Sequence, residues 1–363
     1  MDDIFIQPED LRPSVEEPED GSSLEPDSDT DSDADASIKS TNSYSSRNLQ
    51  VTMENNRRYA DDSYFMPNDE SELTRLNIVH QIYLILLDGR LTTAPLQMER
   101  PRILDIGTGP GDWAIGMSAE HPNAQIIASD IGVFDSGLGH LSLPNVDFQL
   151  ADAKSQWTYH EPFDLIHIRG LSGAFNNWHA IYTQALAHLK PGGYIEVADA
   201  DPAGDTVATE EPSHLRTYAA ALRAAADETG YPRDLRHLRT DALSEAGFVG
   251  VRVQERSIPI GLWPEDPHEK TLGKMALIAL LEGLEAYALR TLTRSGRWSL
   301  DEAKDLCEKV RGECVSARGL TARVRIVTGR KPVSFAQRRG EVLARAMAKV
   351  KVLNEGPDLP KDE

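Results

Sequence analysis

Arg102-Ile103-Leu104-Asp105-Ile106-Gly107-Thr108-Gly109-Pro110-Gly111 is an apolar strand running into a three-glycine loop, with Asp105 two positions before the first glycine. Its continuation, Asp112 to Glu120, carries Trp113, Ala114, Ile115 and Met117 and stops at His121-Pro122, as an amphipathic helix ended by proline does. The unit reads strand, glycine turn, helix. In such a unit the backbone N–H groups at the helix start face a ligand, and glycines let it approach the main chain with no Cβ in the way.

The spacing selects the ligand. A dinucleotide loop wants Gly-x-Gly-x-x-Gly, so that the helix end meets a pyrophosphate. Here Gly107, Gly109 and Gly111 are spaced Gly-x-Gly-x-Gly, and Asp112 fills the slot of the last dinucleotide glycine. An aspartate is a poor neighbour for phosphates. S-adenosylmethionine suits the loop better, since its ammonium and sulfonium attract Asp105 and its carboxylate suits a helix N-terminus.

Downstream, Gln125-Ile126-Ile127-Ala128-Ser129-Asp130 is a short β-rich run ending in a carboxylate 19 residues after Gly111, where a group able to take both ribose hydroxyls is expected. Val146 to Leu150 reads as a third strand, with Asp152-Ala153 at its end to meet the adenine edge. An aspartate after a strand also serves as a helix cap, so the order and spacing of all three strand ends carry this assignment. The expected cofactor residues are Asp105, Gly107, Thr108, Gly109, Gly111, Asp130, Ile131, Asp152 and Ala153, joined by Arg169 at the end of the fourth strand.

The chain has 363 residues, is 40% hydrophobic and is long enough for one large domain with appendages. No run of about 18 apolar residues appears, and Met1-Asp2-Asp3 does not open a signal peptide, so no membrane association and a cytoplasmic or nuclear location are expected. Residues 1–35 hold fourteen Asp or Glu against Arg12 alone, net −13 of the formal −20, which leaves −7 for the rest. No basic stripe tracks phosphates, so nucleic acid is excluded as a substrate class. Cys307 and Cys314 lie seven apart in an expected helix, about 10 Å along its axis, too far for a disulfide and without zinc spacing. No metal is expected.

Residues 1–58 are expected as a disordered acidic and Ser-rich tail, with order beginning near Tyr59 or Tyr64. A helix capped by Pro67-Asn68-Asp69-Glu70 carries Leu73, Leu76, Val79, Tyr83 and Leu86, as core packing or as a lid over the cofactor mouth. Strands then alternate with helices: Phe163–Ile168 as fourth strand, Trp178–Leu189 as helix, Tyr194–Ala198 as fifth strand, helices near 213–229 and 235–246, and Gly247–Val253 as sixth strand. Leu320–Val327 is the seventh. This order is α/β, a doubly wound Rossmann-like sheet with a helical insertion over 265–317 before the last strand, placed to roof an acceptor. A basic amphipathic segment, Phe335–Val352, follows as a C-terminal or partner helix within residues 333–363.

Methyl transfer from a sulfonium is an in-line displacement, for which a base is needed only when the acceptor must lose a proton. The candidates for catalytic base are His167 and His179, with Asp199 and Asp201 beside them. His167 reads more readily as a packed, hydrogen-bonded histidine, and only one of His167 and Arg169 is expected to face the site, Arg169 being favoured. Trp113 lines the pocket or joins the core, Trp157 and Tyr159 flank adenine, and Trp263 and Trp298 wall the acceptor or simply pack. No Asn-Pro-Pro-Tyr type signature follows the fourth strand, where Arg169-Gly170-Leu171-Ser172 stands.

With these segments placed, the chain resembles class I methyltransferases and, more narrowly, the fungal LaeA-like methyltransferase family, over residues 59–332. The resemblance rests on Pro67–Glu70 with its helix, Arg102–Gly109, Phe163–Arg169, His188–Glu196 and Gln254–Gly261, five pieces in order. It implies a seven-strand sheet with the last strand antiparallel, S-adenosylmethionine as cofactor and association with secondary metabolism. Some members methylate small molecules, and others are regulators acting alongside velvet-type proteins. The chain departs from the commoner form at Pro110-Gly111-Asp112 and at Gly132-Val133-Phe134-Asp135, both on the cofactor rim.

Overall fold

The computed structural model describes residues 51–132, 134, 143–201 and 213–333, all within a unit spanning Thr41–Glu363. The acidic tail to residue 50, the segment Phe335–Val352 and the rim residues Val133 and Asp135 lie outside the described residues. Order is present earlier than Tyr59. Strands β1 (Thr52–Glu54) and β2 (Arg57–Tyr59) form an antiparallel hairpin whose turn residues Asn55 and Asn56 sit at φ 52° and 61°, a left-handed pair that asparagine tolerates and tight hairpins require.

Helix α1 (Glu70–Leu86) starts where Asp69 accepts a hydrogen bond from the Glu72 N–H. After it come β3 (Arg102–Ile106), α2 (Asp112–Glu120), β4 (Gln125–Asp130), β5 (Val146–Leu150), β6 (Phe163–Arg169), α3 (Trp178–His188) and β7 (Leu189–Asp201). Then follow α4 (His214–Thr229), α5 (Thr240–Glu245), β8 (Val249–Pro259), α6 (Pro267–Arg294), α7 (Leu300–Ser316) and β9 (Thr321–Arg330). The seven-stranded sheet has the order β5-β4-β3-β6-β7-β9-β8, and β9 runs antiparallel to both β7 and β8. The doubly wound sheet with an antiparallel last strand is therefore as expected. The helix expected over 235–246 is instead a single 3-10 turn at Arg236–Leu238 followed by α5, and the fifth, sixth and seventh strands each extend past their expected ends.

Alternation along the central strands sorts side chains onto two faces. Ile103 and Leu165 pack with Trp113 and Met117 of α2, while Leu104, Ile166 and Ile168 pack with Trp178 and Tyr182 of α3. The insertion over 265–317 is α6 and α7, which close a third core with α1, α4 and β9. Glu313 of α7 accepts from Ser213 Oγ and from the N–H groups of His214 and Leu215, so a carboxylate caps the positive end of α4. Gly273 seats α6 on the chain after β8, where the Gly261 N–H donates to its carbonyl at 2.9 Å. Cys307 and Cys314 are buried free thiols, pushed up to about 12 by desolvation.

The chain reverses its direction of travel across the sheet between β3 and β6. At such a switch point the loops leaving two neighbouring strands diverge, and a crevice opens at the strands' carboxyl ends.

Candidate active site

That crevice is a cavity of about 320 Å³. Its wall includes Asp105, Gly107, Thr108 and Gly109 from β3 and its loop, Asp130 and Ile131 after β4, Asp152 and Ala153 after β5, and Arg169 at the end of β6. Gly111, expected with them, is not on the wall. It sits at φ 93° as the N-cap of α2 and its N–H donates to Thr108 O at 3.1 Å, so this third glycine turns the chain into the helix rather than facing the space.

The loop is tied to the neighbouring strand. The N–H groups of Gly107 and Thr108 donate to Ser129 O at 2.8 and 3.0 Å, and that of Gly109 to Asp130 Oδ2 at 2.8 Å. The other Asp130 oxygen accepts from Gly132 N–H at 3.0 Å. Burial raises the Asp130 carboxyl above its usual range, with these N–H groups opposing the rise. Asp105 accepts from His167 Nδ1 at 2.7 Å through Oδ1, while its Oδ2 is buried without a partner, as is Thr108 Oγ1. Buried acceptors and hydroxyls of this kind are costly when unmade, and both residues stand on the cavity wall.

His167 and Arg169 both line the cavity, because residues two apart on a strand share a face; only one of them was expected there. The His167 ring stacks on Trp113 with centroids 3.8 Å apart and planes 1° from parallel, and Trp113 Nε1 donates to Leu91 O at 2.7 Å. Trp113 is thus both core and wall. His179 is exposed on α3 and is not part of the cavity wall, since Trp178 and Ile181 take the buried face of that helix. Trp157 and Tyr159 pack beside Phe163 and His188 instead of lining the cavity, and Trp263 and Trp298 stand off it as well. The aromatic wall instead includes, beside Trp113, Tyr64, Phe65, Tyr83, Tyr218 and Tyr287.

Three features on or behind this wall had no signal in the residue spacing. Arg75 and Glu72 form a buried bidentate pair on α1, at 2.7 and 2.6 Å. Asp199, at the cavity, meets His237 Nε2 at 3.1 Å, while His237 Nδ1 faces Asp234 O at 3.1 Å and the ring stacks on Trp178. A carbonyl only accepts, so Nδ1 carries a proton while Nε2 meets the Asp199 carboxyl. Arg290 of α6, 2% exposed, donates to Glu54, Asp61 O and Tyr64 O and lies over the Tyr59 ring. It ties the hairpin and the segment 60–68 down as one side of the cavity. Leu76, Val79, Ile82 and Tyr83 of α1 line the space, and Ile82 and Tyr83 also join the core. Of the insertion, α6 lines the cavity and α7 only supports it.

His80 accepts at Nδ1 from Arg169 Nη2, 3.2 Å away, and burial together with the Arg169 charge pulls it from 6.5 down to about 4. The unfolded chain therefore gains a proton near 6.5 and the folded one only near 4. This contribution to stability is whole above pH 6.5 and is lost as pH falls through about 4. Between pH 7.5 and 4.5 the loss amounts to roughly 2–3 kcal/mol, at about 1.36 kcal/mol per pH unit. Urea midpoints of wild type and His80→Gln over that range should show the extra acid sensitivity in wild type only, and equal pH slopes would contradict it.

Among the described residues no helix is long and apolar enough to cross a membrane. The family described as a methyltransferase domain matches residues 78–253. The secondary metabolism regulator LAE1 of Cochliobolus heterostrophus is 34% identical over 77% of this chain and 94% of its own length. Methyltransferase pytC of Aspergillus terreus is 32% identical over 71% of this chain and 79% of its own. Among solved structures, Haemonchus contortus phosphoethanolamine N-methyltransferase 2 in complex with S-adenosyl-L-methionine aligns with a TM-score of 0.42 and 16% identity, over 72% of this chain and about half (53%) of that one.

Proposed function

Because the chain belongs to the LaeA-like family of class I methyltransferases and is an S-adenosylmethionine-dependent methyltransferase, we propose that it methylates oxygen or nitrogen of a small molecule in fungal secondary metabolism. The observation that carries this is the cavity itself, with carboxylates at the β3, β4 and β5 ends and tyrosines and Phe65 under α4 and α6. It has the dimensions and lining of a small-molecule site.

The residues fit the cofactor: the unpartnered Asp105 Oδ2 and Thr108 Oγ1 are a buried acceptor and a buried hydroxyl, and Gly107 and Gly109, at φ 70° and 58°, keep the loop clear of side chains. Asp105 and Asp112 would neutralise its cationic arm, Arg169 would receive its carboxylate, and Asp130, Ile131, Asp152 and Ala153 would hold the nucleoside. Once bound, S-adenosylmethionine supplies an electrophilic methyl group on sulfur. The chain's own part is to hold donor and acceptor in line, to exclude water with α1 and α6, and to take a proton from an acceptor that must lose one. His167 serves as a positioning group, because its ring is held between Asp105 and Trp113. The proton is taken at the Asp199 carboxyl, which His237 backs.

Asp105→Ala and Asp130→Ala are each expected to weaken S-adenosylmethionine by about 1–3 kcal/mol, the worth of charge-assisted hydrogen bonds. Calorimetric titration checks this, and wild-type affinity in both variants would remove the two carboxylates from the site. Incubation of the protein with methyl-labelled cofactor and fungal extract then tests the acceptor: label in the small-molecule fraction supports the proposal. The 34%-identical regulator supports a second reading, action through velvet-type protein partners. Label confined to protein, or capture of such a partner with no labelled metabolite, would favour it.

A further inference from the structure

Of the cations on the cavity wall, Arg75 is neutralised by Glu72, and Arg169 has Asp105, Asp112 and Glu196 among the charges that act on it. Arg233 differs. Among the described residues no carboxylate pairs with it, and the titratable groups that face it are Tyr218, Tyr287 and Tyr64. Its Nη1 donates to Tyr287 O at 3.1 Å, its Nη2 donates to Thr291 Oγ1, and its Nε is buried with no acceptor. The guanidinium lies 3.4 Å from the Phe65 ring centroid, which fixes its plane. Burial without an acid partner brings it down to about 10, so it still carries its charge at neutral pH.

We propose that Arg233 anchors a carboxylate on the methyl acceptor, so that the substrate class is small aromatic or apolar acids. This rests on the methyltransferase reading of the same cavity. A guanidinium has five N–H donors in a fixed fork. Two of the five are used here, which leaves a planar donor set suited to a carboxylate. A buried cation without a counter-charge costs several kcal/mol unless a ligand supplies one. Leu222 and Leu280, with Phe65 and Tyr218, give the apolar surface for the acceptor body. The acidic strand ends and this half-buried cation, beside which no carboxylate stands among the described residues, divide the cavity between a cationic donor and an anionic acceptor. A monoanion is favoured over a phosphate, because the one other wall cation not assigned a partner, Arg223, is exposed.

The test uses the full chain saturated with S-adenosylhomocysteine, and again without it. Benzoate, 4-hydroxycinnamate and indole-3-acetate are each titrated against their methyl esters by ligand-observed NMR. At least one acid should bind tenfold or more tightly than its ester, R233Q should bring the pair level, and R233K should retain at least threefold preference. Equal binding of every acid and ester by wild type, binding of none, or a preference that survives in R233Q would overturn the proposal. The acid-to-ester comparison in wild type holds even where a variant folds poorly. S-adenosylmethionine is titrated separately, and R233Q should bind it within threefold of wild type. A wild type that prefers acids but takes up no S-adenosylmethionine would end the methyltransferase reading and leave the Arg233 assignment standing.

Discussion

Replacing Gly107 with valine is expected to weaken S-adenosylmethionine binding more than 100-fold, beyond about 2.7 kcal/mol, and to lower stability by about 2–4 kcal/mol. Gly107 holds φ 70°, a conformation that a β-branched residue adopts only under strain. A Cβ placed there would stand 2.7 Å from both terminal methyls of Leu171, which itself lines the cavity. The added bulk has two exits. Either Leu171 is driven into the space where the cofactor would lie, or the loop lifts off Ser129 O and breaks the bonds that hold Gly107 and Thr108 to β4. Both outcomes spoil the cofactor end while leaving α6 and the aromatic wall in place. Calorimetry and urea denaturation on the same preparation separate the two effects, and cofactor affinity within tenfold of wild type would contradict the placement of the loop.

Gly273→Ala should cost about 3 kcal/mol, although alanine is the better helix former by about 1 kcal/mol. Gly273 lies inside α6, where a Cβ would run into the Gly261 carbonyl oxygen. That oxygen belongs to the backbone and cannot rotate away. The clash would lever the first half of α6 off the chain leaving β8, and with it Ala276, Ala279 and Leu280 of the cavity wall. Gly312 supplies the contrast. It is exposed in α7 with nothing within 4 Å of its would-be Cβ, so Gly312→Ala should stabilise by about 0.5–1 kcal/mol. Urea midpoints that move in the same direction for the two variants would refute the close approach of α6.

The sheet was legible because its order is written locally. Apolar runs of β3, β4 and β6 are buried on both faces, glycine and proline punctuate their ends, and β3 hands over to α2 across a single glycine loop. The strand-end residues that line the cavity were legible for the same reason, since they sit at fixed offsets from strand ends. The hairpin at residues 52–59 was not, because two three-residue strands are too short to show alternation. What holds them is Arg290, more than two hundred residues away.

The chain by itself determined the α/β class, the helical insertion and the carboxylates and glycines of the loop. Each follows from periodicity, backbone freedom or spacing within one supersecondary unit. Only the tertiary structure decided that His167 and Arg169 share the cavity and that His179 is outside it. The same holds for Tyr64, Phe65, Tyr83, Tyr218 and Tyr287 on the wall, for the contact of Asp199 with His237, and for Arg233 having no carboxylate beside it among the described residues. Those are contacts between elements far apart in sequence. Their chemistry depends on desolvation and on neighbouring charge, which exist only once the chain has closed around them.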